Sequence, residues 1–143
     1  MADDTLSDVE RTAVKQRAAE LKKQASRKGG TKKERELQDA LEAIDGLPEP
    51  DKSIAQMVHE VVTEVAPQLD PKTWYGFPSY AKDGKVVVFF QQASKFDSRY
   101  GTLGFQDIAA LDDGDMWPTS YALIADTPAV RERVAELVRR AAG

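Results

Sequence analysis

Ser79-Tyr80-Ala81-Lys82-Asp83-Gly84-Lys85-Val86-Val87-Val88-Phe89-Phe90 reads as a β-hairpin. Two extended runs, Ser79 to Ala81 and Lys85 to Phe90, flank Lys82-Asp83-Gly84. Asp-Gly accepts the positive φ that a tight hairpin turn requires at both central residues. Val86 to Phe90 is apolar without alternation, as in a strand covered on both faces, so it predicts the middle of a sheet.

Downstream of the hairpin, the pattern predicts a strand at Tyr100 to Phe105 and a short helical turn near Gln106 to Leu111. An acidic turn, Asp112-Asp113-Gly114-Asp115, and a last strand from Ser120 to Ala125 follow. Thr127-Pro128 is an N-cap followed by proline at the first helical position. Val130, Val134, Leu137, Val138 and Ala141 give the closing helix its apolar face. Upstream, Asp51 or Ser53 can cap a helix striped with Ile54, Met57, Val58, Val61 and Val65 that Pro67 closes. Leu47-Pro48-Glu49-Pro50 is stiff and extended, because proline fixes its own φ and disfavours helix in the residue before it.

Ahead of that segment, Thr31-Lys32-Lys33-Glu34 forms a capping box for a helix whose inner face is Leu37, Ala40, Leu41 and Ile44, ending at Gly46. Ser7-Asp8-Val9-Glu10 is a second capping box. It starts a helix from about Asp8 to Ser26 with a narrow stripe of Leu6, Val9, Ala13, Arg17, Leu21 and Ala25, stopped by Gly29-Gly30. Helices, antiparallel strands and a final helix predict an α+β fold, a small antiparallel sheet with helices packed on one face. The division expected is an N-terminal helical extension over 1–47 and an α+β domain over 51–143.

The chain has 143 residues and no cysteine, so disulfides, thiolate chemistry and Cys-ligated metals are excluded. Its acidic start lacks the basic flank of a secretory signal, and no apolar run reaches the roughly 20 residues of a membrane span. A cytoplasmic protein without a membrane partner is the expectation. Lys22, Lys23, Arg27, Lys28, Lys32, Lys33 and Arg35 form a basic block. It is broken by Gly29-Gly30 and carries no aromatics for base stacking, so it suits a partner-docking arm better than nucleic acid.

Glu60 and Glu64 share a helix face about 6 Å apart, with His59 beside them. Carboxylates with an imidazole suit iron or manganese, and an ordinary solvated face explains the same residues. His59-Glu60 lacks the second histidine of a zinc protease, and Asp112 to Asp115 lack the spacing of a calcium loop. Every aromatic residue falls between Trp74 and Tyr121. Trp74, Tyr75, Tyr80, Phe90, Tyr100, Phe105 and Trp117, with Lys95 and Arg99 nearby, can wall a recess for an anionic ligand or build the core. No phosphate loop, nucleophile elbow or catalytic triad is present, which argues against an enzyme.

Thr73-Trp74-Tyr75-Gly76-Phe77-Pro78-Ser79-Tyr80-Ala81-Lys82-Asp83-Gly84-Lys85, then Lys95, Tyr100 to Phe105 and Leu111 to Pro118, resembles the YdhG-like family across about Asp51 to Ala142. Leu6 to Leu47 resembles the N-terminal extension of some actinobacterial-type members. The resemblance implies a small frataxin-like fold. It also implies an intracellular iron chaperone, holding iron through acidic side chains of the helix before the sheet and passing it to an acceptor protein. Glu60 and Glu64 are the positions to which that role carries over. A small-molecule or peptide module using the aromatic segment, or a domain docking through its N-terminal helices, is the alternative expectation.

Overall fold

The computed structural model describes residues 11–18 and 30–143. Residues 11–18 are helical (α1), and the Ser7 capping box and the flanks of that predicted helix lie outside the described residues. There follow α2 (Lys32–Asp45), α3 (Asp51–Val65), β1 (Asp70–Trp74), β2 (Phe77–Lys82), β3 (Lys85–Gln91), a 3-10 turn at Ser94–Phe96, β4 (Gly101–Phe105), β5 (Ser120–Leu123) and α4 (Pro128–Ala142). The strands form a five-stranded antiparallel meander in chain order. The fold is α+β, and no helix among the described residues is long and apolar enough to cross a membrane.

Asp83 and Gly84 make the predicted turn, with φ of 51° and 82°, and β3 is the central strand. A second hairpin was not anticipated. Tyr75 and Gly76, at φ 53° and 82°, turn the chain between β1 and β2. Of the short helical turn expected at Gln106 to Leu111, only one turn forms. One hydrogen bond from Ala109 N to Gln106 O closes a single turn, and Ala110 N then donates to Ala141 O at 3.0 Å, tying the loop to the end of α4.

Strand register sorts the side chains. Tyr80, Val88 and Phe105 lie in one row of the inner face, and Phe90, Leu103 and Tyr121 in the next. Ile54, Met57, Val58, Val61 and Val62 of α3 and Val134, Val138 and Ala141 of α4 close over that face in one buried cluster. Each fully buried large apolar side chain contributes about 1.5–3 kcal/mol. The adjacent Phe89 and Phe90 lay their rings over glycines of β4 on opposite faces. A Cβ at Gly104 would stand 2.3 Å from the Phe89 ring, and one at Gly101 would stand 2.6 Å from that of Phe90.

Two local expectations need correction. The buried side of α2 is Glu36, Asp39, Ala40 and Ile44, whereas Leu41 is 38% exposed. The helix runs along charged β1, where Lys72 lies 3.8 Å from Glu36 and Lys33 lies 3.5 Å from Asp70, and this turns acidic residues inward. Ile44 still reaches the cluster that holds Ile54 and Met57. Neither Asp51 nor Ser53 caps α3 with its side chain; Pro50 occupies the cap position. The Glu49 carboxylate instead accepts from Ser53 N and Oγ at 2.9 and 2.8 Å, which holds its pKa below the usual carboxylate value. Thr31 caps α2 by accepting from Glu34 N, and Thr127 caps α4 by accepting from Val130 N.

Candidate functional site

Of the three residues singled out for a metal, His59 and Glu60 are committed to different partners. Glu60 accepts from Arg131 at 2.9 Å, and Arg131 also binds Asp126 at 2.8 Å. That guanidinium holds the Asp126 carboxyl below its ordinary pKa. His59 turns toward the core. Its Nδ1 lies 3.0 Å from the hydroxyl of Tyr80, a core residue. Burial pushes the His59 pKa down, with Glu60 opposing, and pushes that of Tyr80 up.

His59 and Glu60 line a groove of about 500 Å³ between α2 and α3 together with Asp45. Asp45 is itself bridged to Lys52 at 3.1 Å, and Glu64 is exposed and does not line the groove. No group of three or more potential metal ligands occurs among the described residues.

The aromatic set divides four ways. Tyr80, Phe90 and Phe105 belong to the sealed core. Trp74 and Tyr75 lie with Phe77, Phe89 and Phe96 on the opposite side of the sheet. There Trp74 meets Tyr75 and Phe89 edge-on at 5.1 and 5.5 Å, and Phe77 stacks on Phe89 at 5.8 Å. Tyr100 stands at the start of β4 under Arg99, 5.4 Å from its ring. Trp117 lines a separate cavity of about 280 Å³ with Phe105 and Leu111. The single aromatic recess drawn from the sequence is therefore not one site.

Lys95 is the member that leads to a cleft. It donates to the Tyr75 carbonyl, and its ammonium rests 4.5 Å above the Phe77 ring, a cation–π contact. The cleft, about 530 Å³, opens at the end of the sheet where the β1–β2 turn, the end of β3 and the α2–α3 connection meet. Its walls include Gln16, Glu42, Pro48, Gly76, Gln92 and Lys95. Gly76 fits there for two reasons. Its φ is positive, and a Cβ would fall 2.6 Å from Lys95 Nζ and 2.7 Å from Gln16 Oε1.

Gln92 gives the cleft its chemistry. The residue is only 7% exposed, and its Oε1 is buried without a hydrogen-bond partner, as is Oε1 of Gln16. The segment after Gln92 is fixed from the core side, because the Asp51 carboxylate, 3% exposed, accepts from Ala93 N at 3.2 Å and Ser94 N at 3.1 Å. Sequence reading passed over Gln92. The available signal was the alternation of β3, since 88, 90 and 92 share a parity and two of them are core residues.

Compared with protein-family models, with curated proteins and with solved structures, the chain matches none.

Proposed function

We propose that this protein is a non-enzymatic binding module that takes a small molecule into the cleft at the end of the sheet. The observation that carries this reading is the Gln92 side-chain oxygen, buried at the cleft wall without a partner. Leaving a buried acceptor unsatisfied costs about 1–3 kcal/mol, and native proteins rarely do so without a ligand, ion or water to fill it. The fixed backbone on either side, Asp51 under Ala93 and Lys95 on Tyr75, keeps that oxygen in place before a ligand arrives.

A binding role fits better than catalysis. The chain has a single histidine, His59, and it lines a different groove while bonded to Tyr80. The Lys95 amine already serves a backbone carbonyl. A cytoplasmic setting suits a chain without cysteine.

Screening small molecules by thermal shift tests the proposal. A ligand that raises the melting temperature of the parent should lose most of that effect in Gln92→Leu and keep it in Trp74→Ala, whose side chain lies outside the cleft. Equal shifts in parent and Gln92→Leu would remove the cleft as the site.

A further inference from the structure

The two edges of the sheet are defended differently, and the undefended one lies apart from the cleft. β1 carries Asp70, Pro71 and Lys72, and α2 runs along it, which are usual means of keeping an edge from pairing with another chain. β5 reads Ser120-Tyr121-Ala122-Leu123, with no charge and no proline, and Ile124 just beyond it is 68% exposed. The register assigns its open side. Phe105 N donates to Thr119 O, so in the antiparallel ladder Thr119, Tyr121 and Leu123 turn their backbone groups to β4, and Ser120 and Ala122 turn theirs away. None of those outward groups pairs with another backbone group among the described residues.

Beside that edge, on the inner side of the sheet, a groove of about 280 Å³ lies between Tyr121 and Leu123 of β5 and Val130 and Leu137 of α4. Arg133 is the one charged residue of its described lining. It is exposed, with its guanidinium 5.8 Å from the Tyr121 ring and in no ion pair with a described carboxylate. Arg131, two residues earlier, is by contrast held by Glu60 and Asp126. A strand laid along β5 would complete the ladder at Ser120 and Ala122 and direct every second side chain into the groove. Apolar walls and a cation call for apolar residues at that spacing and a carboxylate to meet the guanidinium. A second copy does not supply that set. β5 paired to β5 brings no charge with the added strand, and the Asp126 carboxylate beyond it is already bound to Arg131.

We propose that the free edge of β5 docks an extended, acidic and apolar segment of another protein as a sixth strand, with its apolar side chains in the groove beside α4 and a carboxylate against Arg133.

The test uses the full chain and three pools of capped octapeptides that alternate Thr with Val, Ile or Leu, one apolar position being replaced by Glu, by Gln or by Lys. Hydrogen exchange at the Ser120 and Ala122 amides is the readout, since these N–H groups face away from β4. The Glu pool should slow exchange at both, more than the Gln pool, and the Lys pool should leave them unchanged. Arg133→Gln, a change at an exposed position, should weaken the Glu pool about threefold, the worth of an exposed ion pair, and erase its advantage over the Gln pool. Ala122→Pro removes one outward N–H from an edge strand, where proline is tolerated, and should abolish protection of Ser120 by every pool. Equal protection by the Lys and Glu pools would overturn the proposal, and so would protection by none. Slowing of the same amides without peptide, rising with protein concentration, would assign the edge to a second copy and overturn it too.

Discussion

The two faces of the sheet carry the same kinds of side chain and use them differently. On the inner face, Tyr80, Phe90 and Phe105 are sealed beneath α3 and α4. On the outer face, Trp74, Tyr75, Phe89 and Phe96 stay partly exposed, held by ring contacts and by Lys95. Aromatic density in a sequence therefore marks neither a core nor a site by itself. The covering helices decide, because an apolar stripe such as Ile54, Met57 and Val58 withdraws one face from water, while on the other Phe77 is buried and its ring neighbours stay partly exposed.

The largest effect that can break this contrast is Phe90→Ala. It should cost about 3–5 kcal/mol in chemical denaturation, the range for emptying an aromatic core position. Phe89→Ala, one residue away, should cost clearly less because its ring is already part solvated. Equal losses would mean that the faces are energetically alike.

A smaller effect probes the outer face alone. Gly104→Ala places a methyl against the Phe89 ring and should destabilise by about 1–3 kcal/mol, the usual cost of overpacking. Introduced into a Phe89→Leu background, the same change should cost less, since the obstructing ring is gone. Additive losses in the double mutant would place the strain elsewhere.

The smallest effect sharpens the inner face, through the bond between Tyr80 and His59. Burial lowers the folded-state pKa of His59 below its unfolded value near 6.5, so the unfolded chain takes up the proton first as pH falls. The stability that this group supports is complete above about pH 6.5 and declines as pH drops through the folded value. The decline should appear while carboxylates are still ionised, and His59→Gln should flatten it. An unchanged pH profile in that variant would show that His59 carries no such linkage.

Elements whose evidence is local were legible from sequence. The Asp83-Gly84 hairpin, the stripe of α3, the Thr127-Pro128 start of α4 and the central place of β3 each follow from a few neighbouring residues. The Tyr75-Gly76 hairpin was hidden because tyrosine seldom adopts positive φ. The face of α2 was misread because hydrophobicity alone pointed to Leu37 and Leu41, while β1 offers charges that draw Glu36 inward. Asp51 looked like a cap because its position before a helix suits one, yet its partners are about forty residues away in the chain.

The candidate site was less legible than the fold. Lys95 was named, but of the aromatics grouped with it only Tyr75 meets it, through its backbone carbonyl. Glu60 looked available because Arg131, seventy-one residues later, cannot be paired with it from sequence.

The sequence by itself determined the α+β class, the hairpin at Asp83-Gly84 and the apolar faces of α3 and α4, since backbone preference and periodicity act between near neighbours. Only the tertiary structure decided which aromatics are sealed, which charges are paired, and that Gln16, Gly76 and Gln92 border one cleft. Those outcomes depend on contacts between distant residues, and on polar atoms whose satisfaction is set by what packs against them rather than by what adjoins them in the chain.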